Sequence, residues 1–145
     1  MKIKLAQTDD ELLKCRDVML ALRPHIEAAA FLPMVKDMMQ AGYQIAYVET
    51  EGKAVAAVGY RHLQFLFNGK HIYIDDLSTL PEYRGRGYGG QLLAFVAETA
   101  KAHGYKVITL DSGFHRHEAH RLYLNKGFRI ASLHFSKALS EPDPH

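Results

Sequence analysis

The chain has 145 residues, 48% hydrophobic and 23% charged, ordinary values for one globular domain able to bury roughly two-thirds of its unfolded surface. A formal charge of +2 is too small to point to nucleic acid, yet it allows a local basic patch to meet an anion. No run approaches the ~20 apolar residues of a membrane span; the N-terminus lacks the apolar core of a signal peptide; and a single cysteine, Cys15, excludes an internal disulfide and fits a reducing, cytoplasmic setting.

Lys2 to Ala6 reads as a short strand. Thr8 and Glu11 form a capping box that opens a helix, and Leu12, Cys15, Met19 and Leu22 follow at helical spacing until Pro24 stops the run. Cys15 reads as a small core residue rather than a nucleophile. A second helix covers about 28–40 and ends at Gly42. Three strands come next, about 44–49, 54–67 and 71–79, joined by turns at Glu51-Gly52 and Asn68-Gly69.

The period then changes. Leu92, Leu93, Val96 and Ala100 mark one face of a helix over about 88–103, closed by Gly104. A buried-type strand over 106–110, a short helix over 118–125 and a last alternating strand over 128–136 complete the order β-α-α-β-β-β-α-β-α-β. The antiparallel meander leads into a β-α-β crossover, so the sheet is mixed. Residues 141–145, with two prolines and charges, read as a flexible tail.

The segment Pro81-Glu82-Tyr83-Arg84-Gly85-Arg86-Gly87-Tyr88-Gly89-Gly90 joins a strand to a helix N-terminus. Its glycines let the backbone approach a ligand and turn N–H groups outward. The unpaired N–H groups of a first helical turn and the positive end of its dipole make an anion site. Arg84 and Arg86 add charge that suits a diphosphate, and no acidic residue lies between Arg84 and Gly90. A Walker A loop is excluded, because no Gly-Lys-Ser/Thr ends the segment. Gly85, Gly87 and Gly90 satisfy a dinucleotide-binding spacing, but the unit follows a meander, and only Asp111 offers a carboxylate about 20 residues on. A purely structural turn with surface arginines is the remaining alternative.

The spacing Arg84-x-x-Gly87-x-Gly89, with Pro81 three residues ahead, resembles the pyrophosphate motif of the GNAT superfamily of N-acetyltransferases. A second block, Ala119-His120-Arg121-Leu122-Tyr123-Leu124-Asn125-Lys126-Gly127-Phe128, resembles that family's later helix and Gly-Phe pair. The resemblance implies one α/β (α+β) domain over 1–140, with a mixed, mostly antiparallel sheet of about six or seven strands and about four flanking helices. It implies acetyl-coenzyme A as donor, held at its pyrophosphate by Arg84, Gly85, Arg86, Gly87, Tyr88, Gly89 and Gly90. The pantetheine arm is expected along Leu77, Ser78 and Thr79, where family members carry a bulge. Many relatives have an asparagine where Arg116 stands here, so Arg116 is expected to contact a phosphate or the pantetheine instead.

Amine acetylation makes its own demands. A primary amine with a pKa of about 10.4 costs roughly 4–5 kcal/mol to deprotonate at pH 7, so a base or a carboxylate-held water helps. Attack on a thioester develops an oxyanion that a backbone N–H stabilises, and the leaving thiolate takes a proton. Tyr123 matches the family's tyrosine that supplies that proton, although Ala119, Leu122 and Tyr123 also make a packing set. Asp75 and Asp76 resemble the paired acids of diamine and aminoglycoside acetyltransferases. They read equally as a substrate-binding or proton-relaying pair, or as a charge pair with nearby arginines. Adjacent strand residues face opposite sides, so at most one is expected in a given cleft. Glu49 and His62 are weaker base candidates, and His25 lies in a loop that lines the acceptor pocket in this family.

His115, His117 and His120 straddle a helix start and are expected to point apart, so no metal site is expected. The reading is a direct-transfer N-acetyltransferase for an amine, tilted toward a small cationic one, without nucleic-acid or membrane partners. A non-catalytic acyl-coenzyme A sensor and a protein lysine or N-terminal acetyltransferase are the alternatives. C-terminal edge strands leave room for a homodimer.

Overall fold

A computed structural model describes residues 3–140; Lys2 and the expected tail over 141–145 lie outside the described residues. The elements run β1 Ile3–Leu5, α1 Asp9–Lys14, α2 Arg16–Leu22, α3 Ala28–Gln40, β2 Gln44–Thr50, β3 Lys53–Phe65, β4 Gly69–Thr79, α4 Tyr88–Ala102, β5 Ile108–Leu110 and α5 His117–Asn125. A single 3₁₀ turn at Pro81–Tyr83 links β4 to the glycine segment. The chain divides between Leu110 and Asp111 into two compact units.

The first unit is a five-stranded sheet in sequence order, β1-β2-β3-β4-β5. The first three pairings are antiparallel and β4–β5 is parallel, so the mixed, mostly antiparallel sheet is present. Ile45, Tyr47 and Ala57 join Leu12, Cys15, Val18, Met19, Phe31 and Val35 of α1–α3 in one core cluster. The alternate residues Ala46, Val48 and Val58 are as deeply buried, which by the two-residue period of a strand places them on the opposite face. There α4 contributes Leu92, Leu93, Val96 and Ala100, and Phe95 meets Tyr60 edge-on at 6.4 Å. Layers on both faces explain why the central strands read as continuous apolar runs.

The capping box forms as expected. The Thr8 hydroxyl accepts from the Glu11 N–H at 3.2 Å, and the Glu11 carboxylate accepts from the Thr8 N–H at 3.0 Å and the Gln7 N–H at 2.9 Å. Two expectations need correction. The helix over 9–22 breaks at Cys15, which caps α1 and precedes α2, so five α-helices stand among the described residues where about four were expected. The strand over 128–136 is absent, and with it the sheet has five strands among the described residues rather than six or seven. Alternation makes a segment compatible with a strand, but ladder bonds make it one, and Phe128–Ser136 has no ladder partner there. Its Ile130, Leu133 and Phe135 are exposed.

Thr8→Ala removes one half of the capping box and is expected to cost about 1 kcal/mol. In thermal unfolding this reads as a fall of about 2–5 °C in Tm. An unchanged Tm would mean that the α1 start is held by its packing alone.

Candidate active site

The glycine segment sits where β4 ends and α4 begins. Gly85 and Gly87 adopt left-handed conformations, with φ of +78° and +86°. A Cβ on either would meet nothing within 4 Å, so these positions call for glycine through backbone conformation rather than space. Gly87 is the N-cap of α4 and offers no side chain to its first turn. Gln91 is the first residue of that turn whose N–H reaches an acceptor, the Gly87 carbonyl at 3.1 Å. Among the described residues, the N–H groups from Gly85 through Tyr88, Gly89 and Gly90 have no backbone or side-chain acceptor. They lie at the positive end of a 15-residue helix. Arg84 folds back to donate to the Thr79 carbonyl at 3.2 Å. Arg86 donates to the Glu82 carbonyl and lies over the Tyr83 ring at 4.9 Å. Both guanidinium groups thus stay beside the turn. This set fits a diphosphate: N–H donors without protein acceptors, two cations and no carboxylate from Arg84 to Gly90.

β4 supplies the second part. Its ladder with β3 continues to Thr79, but its parallel ladder with β5 stops at Ile74↔Leu110. Beyond that point the β5-side edge of β4, including Leu77, Ser78 and Thr79, has no strand partner among the described residues. The Ser78 hydroxyl is buried and donates to the Val18 carbonyl at 2.7 Å. That side chain is therefore occupied by the fold, and Ser78 can serve a ligand only through its backbone.

The register gives the third part. Gly59 pairs with Asp76 and Tyr60 with Ile74, leaving Asp75 as the extra residue of a β-bulge. Around this bulge the two neighbouring carboxylates take different partners. Asp75 accepts from Arg61 at 2.8 and 3.1 Å. Asp76 accepts from the Tyr43 hydroxyl at 2.7 Å on one oxygen and from the Arg23 Nε–H at 3.0 Å on the other, with Arg23 Nη2 2.9 Å from that same oxygen in an ion pair. Arg23 also donates to the Asp75 carbonyl at 3.2 Å, and the Arg61 guanidinium sits 5.4 Å from the Tyr43 ring centre. Burial pushes the Asp75 carboxyl up, and its bond to Arg61 works against that shift. Burial, then the neighbouring Asp76 charge, pushes the Tyr43 phenol well above its ordinary value, so it remains a proton donor in the bond.

The charge-pair reading of the acids is therefore realised, with arginines other than those of the glycine turn. Tyr43, Arg61 and Gly59 were not among the expected site residues. Nothing in local sequence signals them, because each acts through a strand register or a chain reversal. His25 is exposed in the α2–α3 loop, which Arg23 ties to Asp76. The weaker base candidates fall elsewhere. Glu49 is paired with Lys14 at 2.9 Å and Lys4 at 3.5 Å, and the Lys14 bond holds it below the usual carboxylate range. His62 lies 2.9 Å from the Tyr105 hydroxyl and against the His103 ring, with its pKa lowered by burial and then by His103.

In the second unit, α5 carries Tyr123, buried and with its ring 5.8 Å from that of Phe128. The Phe128 N–H donates to the Tyr123 carbonyl at 3.0 Å and closes the helix end. Arg116 is the residue before α5, half-buried, with no side-chain bond to the helix start. His120 contacts the Gly113 carbonyl at 2.8 Å, and His115 packs on Phe114. Among the described residues no three His, Cys, Asp or Glu side chains gather as a metal site would need.

Comparison with known proteins agrees with this geometry. The model of the Acetyltransferase (GNAT) family matches residues 11–128. The uncharacterised N-acetyltransferase YhdJ of Bacillus subtilis (strain 168) is 29% identical over 137 residues, spanning 93% of this chain and 96% of that protein. The aminoalkylphosphonate N-acetyltransferase of Salmonella typhimurium is 39% identical over 80 residues, 54% of this chain and 52% of that protein. In fold, the chain resembles the aminoglycoside N-acetyltransferase AAC(6')-Iy in complex with CoA, with a TM-score of 0.80, 19% identity and 95% of each chain covered. The acceptor-free N–H groups, the half-paired strand and these matches converge: the chain belongs to the acetyltransferase (GNAT) family and is an acyltransferase, of a family whose acetyl donor is acetyl-CoA.

Proposed function

We propose that this chain transfers the acetyl group of acetyl-CoA to the amine of a small cationic acceptor, by direct attack while both are bound. One observation carries the reading: the acceptor-free N–H groups from Gly85 to Gly90 lie at the end of the same strand that carries the acid pair. A donor pyrophosphate held by Arg84, Gly85, Arg86, Gly87, Tyr88, Gly89 and Gly90 leaves its pantetheine arm to pair with the free edge of Leu77, Ser78 and Thr79, as an added strand does. The acceptor amine then belongs at Asp75 and Asp76, with His25 on the neighbouring loop. Arg23 is the group that an incoming ammonium displaces from Asp76, since its side chain is 44% exposed. Tyr123 protonates the leaving sulfur, its phenol being a proton donor at neutral pH. Arg116 contacts a phosphate or the pantetheine.

The buried Cys15, whose pKa burial pushes up to about 12, makes a poor nucleophile and favours direct transfer over an acyl-enzyme. The names of two relatives, aminoalkylphosphonate and thialysine N-acetyltransferase, describe small amines and favour such an acceptor over a protein lysine or N-terminus. The domain spans 1–140, works in the cytoplasm and pairs as a homodimer in this reading.

Saturating acetyl-CoA, at about 100 times its Kd, is expected to add roughly 2.7 kcal/mol and raise Tm by several degrees, whereas a nicotinamide dinucleotide does not. No shift at millimolar acetyl-CoA would remove the donor site. Gly87→Ala forces a side chain into a left-handed backbone at a cost of about 1–2 kcal/mol, and is expected to weaken acetyl-CoA binding about tenfold by calorimetry. Tyr123→Phe is expected to lower kcat by at least about 100-fold with acetyl-CoA binding retained. Unchanged kcat in that variant, with acetyl-CoA still bound, would point to another acid, whereas a wild-type protein that binds acetyl-CoA but turns over no amine would point to an acyl-CoA sensor.

A further inference from the structure

We infer that Asp76, rather than Asp75, is the carboxylate that meets the acceptor amine, and that Tyr43 and Gly59 are the residues that position it. The inference rests on the acceptor half of the transferase reading above.

The two acids are neighbours in sequence but not in circumstance. Asp75 is engaged on both oxygens by one guanidinium, at 2.8 and 3.1 Å. Both side chains of that pair are about one-fifth exposed, 19% for Asp75 and 21% for Arg61. Arg61 is further held over the Tyr43 ring. A two-pronged, half-buried pair of this kind is hard to exchange, because removing either partner strands the other charge. Asp76 is built differently. Its inner oxygen takes the Tyr43 hydroxyl, from a side chain only 3% exposed. Its outer oxygen takes Arg23, which approaches from the α2–α3 loop and from solvent. One bond is to a buried phenol, while the other is to an Arg23 side chain that is 44% exposed and exchangeable, the Asp76 side chain itself being 14% exposed. A carboxylate anchored on one oxygen and held on the other by an exposed, exchangeable cation is what an ammonium group needs.

Gly59 explains how Tyr43 reaches that oxygen. Gly59 is the cross-strand partner of Asp76, and a Cβ placed on it would overlap the Tyr43 hydroxyl and ring. Its backbone is not left-handed, so the requirement for glycine is space. Gly85 and Gly87 show the opposite pattern, with positive φ and open surroundings. Gly59 is therefore a seat for the Tyr43 ring, placed directly across from the residue that the ring holds. The bulge at Asp75 completes the arrangement by turning Asp76 into the same network without a shift of the whole strand.

The test uses full-length protein, steady-state kinetics with acetyl-CoA, and a panel of 1,4-diaminobutane, lysine and 2-aminoethylphosphonate. Asp76→Asn is expected to lower kcat/KM for the accepted amine by at least about 100-fold, and Asp75→Asn by less than tenfold with a lower Tm. Tyr43→Phe keeps the ring and its packing. It is expected to raise the amine KM about tenfold while the acetyl-CoA KM and Tm stay near wild type; a packing role alone would move all three. Gly59→Ala is expected to reproduce the amine defect, and to add nothing further in a Tyr43→Ala background, where the overlapping group is gone. Equal losses for the two asparagine variants, or an acetyl-CoA KM that rises in step with the amine KM in Tyr43→Phe, would overturn the assignment while leaving the transferase reading intact. If acetyl-CoA raises Tm but no amine is acetylated, the acceptor half of that reading fails, and this inference fails with it.

Discussion

β4 is paired on both edges from Ile72 to Ile74 and on one edge from Asp76 onward. The parallel ladder ends because β5 is only three residues long, while β4 runs on to Thr79. An unpaired edge is a row of strong donors and acceptors, and in most proteins it is covered or charged. Here the side chains of that stretch are fastened on both faces instead. Leu77 and Ser78 are buried, and the Ser78 hydroxyl is tied to α2 through the Val18 carbonyl. The edge is therefore open yet rigid, and an extended ligand that pairs with it does not have to order it first. The same strand then delivers the chain to the glycine turn, so the strand edge and the N–H groups at the start of α4 are set by one continuous backbone.

The charges around the bulge follow from that placement. Two carboxylates side by side at the margin of a core would repel and resist burial. The fold answers with Arg61 on the adjacent strand, Arg23 on the α2–α3 loop and a neutral phenol between them. The cluster is balanced in charge, and its members come from β3, β4, the loop after α2 and the residue before β2. In such a balanced group each carboxylate already has a cationic partner, and the Arg23 one is the more exposed of the two.

Much of this was legible in the sequence where the signal is local. The capping box at Thr8–Glu11, the period change at Tyr88, the helix ends at Gly104 and Gly127 and the glycine turn each involve residues a few positions apart, and each appears with nearly the expected bounds. The backbone shape of the turn was legible for the same reason, since a motif is a local record of such a shape. The bulge was not, because it is a property of two strands in register and shows only as Asp75 lacking a partner across from Gly59–Tyr60. Tyr43, Arg61 and Gly59 escaped notice on the same ground. Cys15 fitted one helical stripe so well that the break there was invisible, and the alternation of Phe128–Ser136 was read as pairing although no edge receives it.

Cys15 has no exposed surface, and burial raises its thiol pKa. A disulfide reagent mixed with the native protein therefore finds almost no protein thiolate to attack. Coenzyme A released by turnover becomes the sole reactive sulfur in solution, and the protein can be followed continuously without masking its own cysteine. The converse holds when the packing between α1, α2 and the sheet loosens. Each opening exposes that one thiol, so the rate at which it is slowly modified becomes a clock for local breathing of the layer that holds Arg23 and its loop.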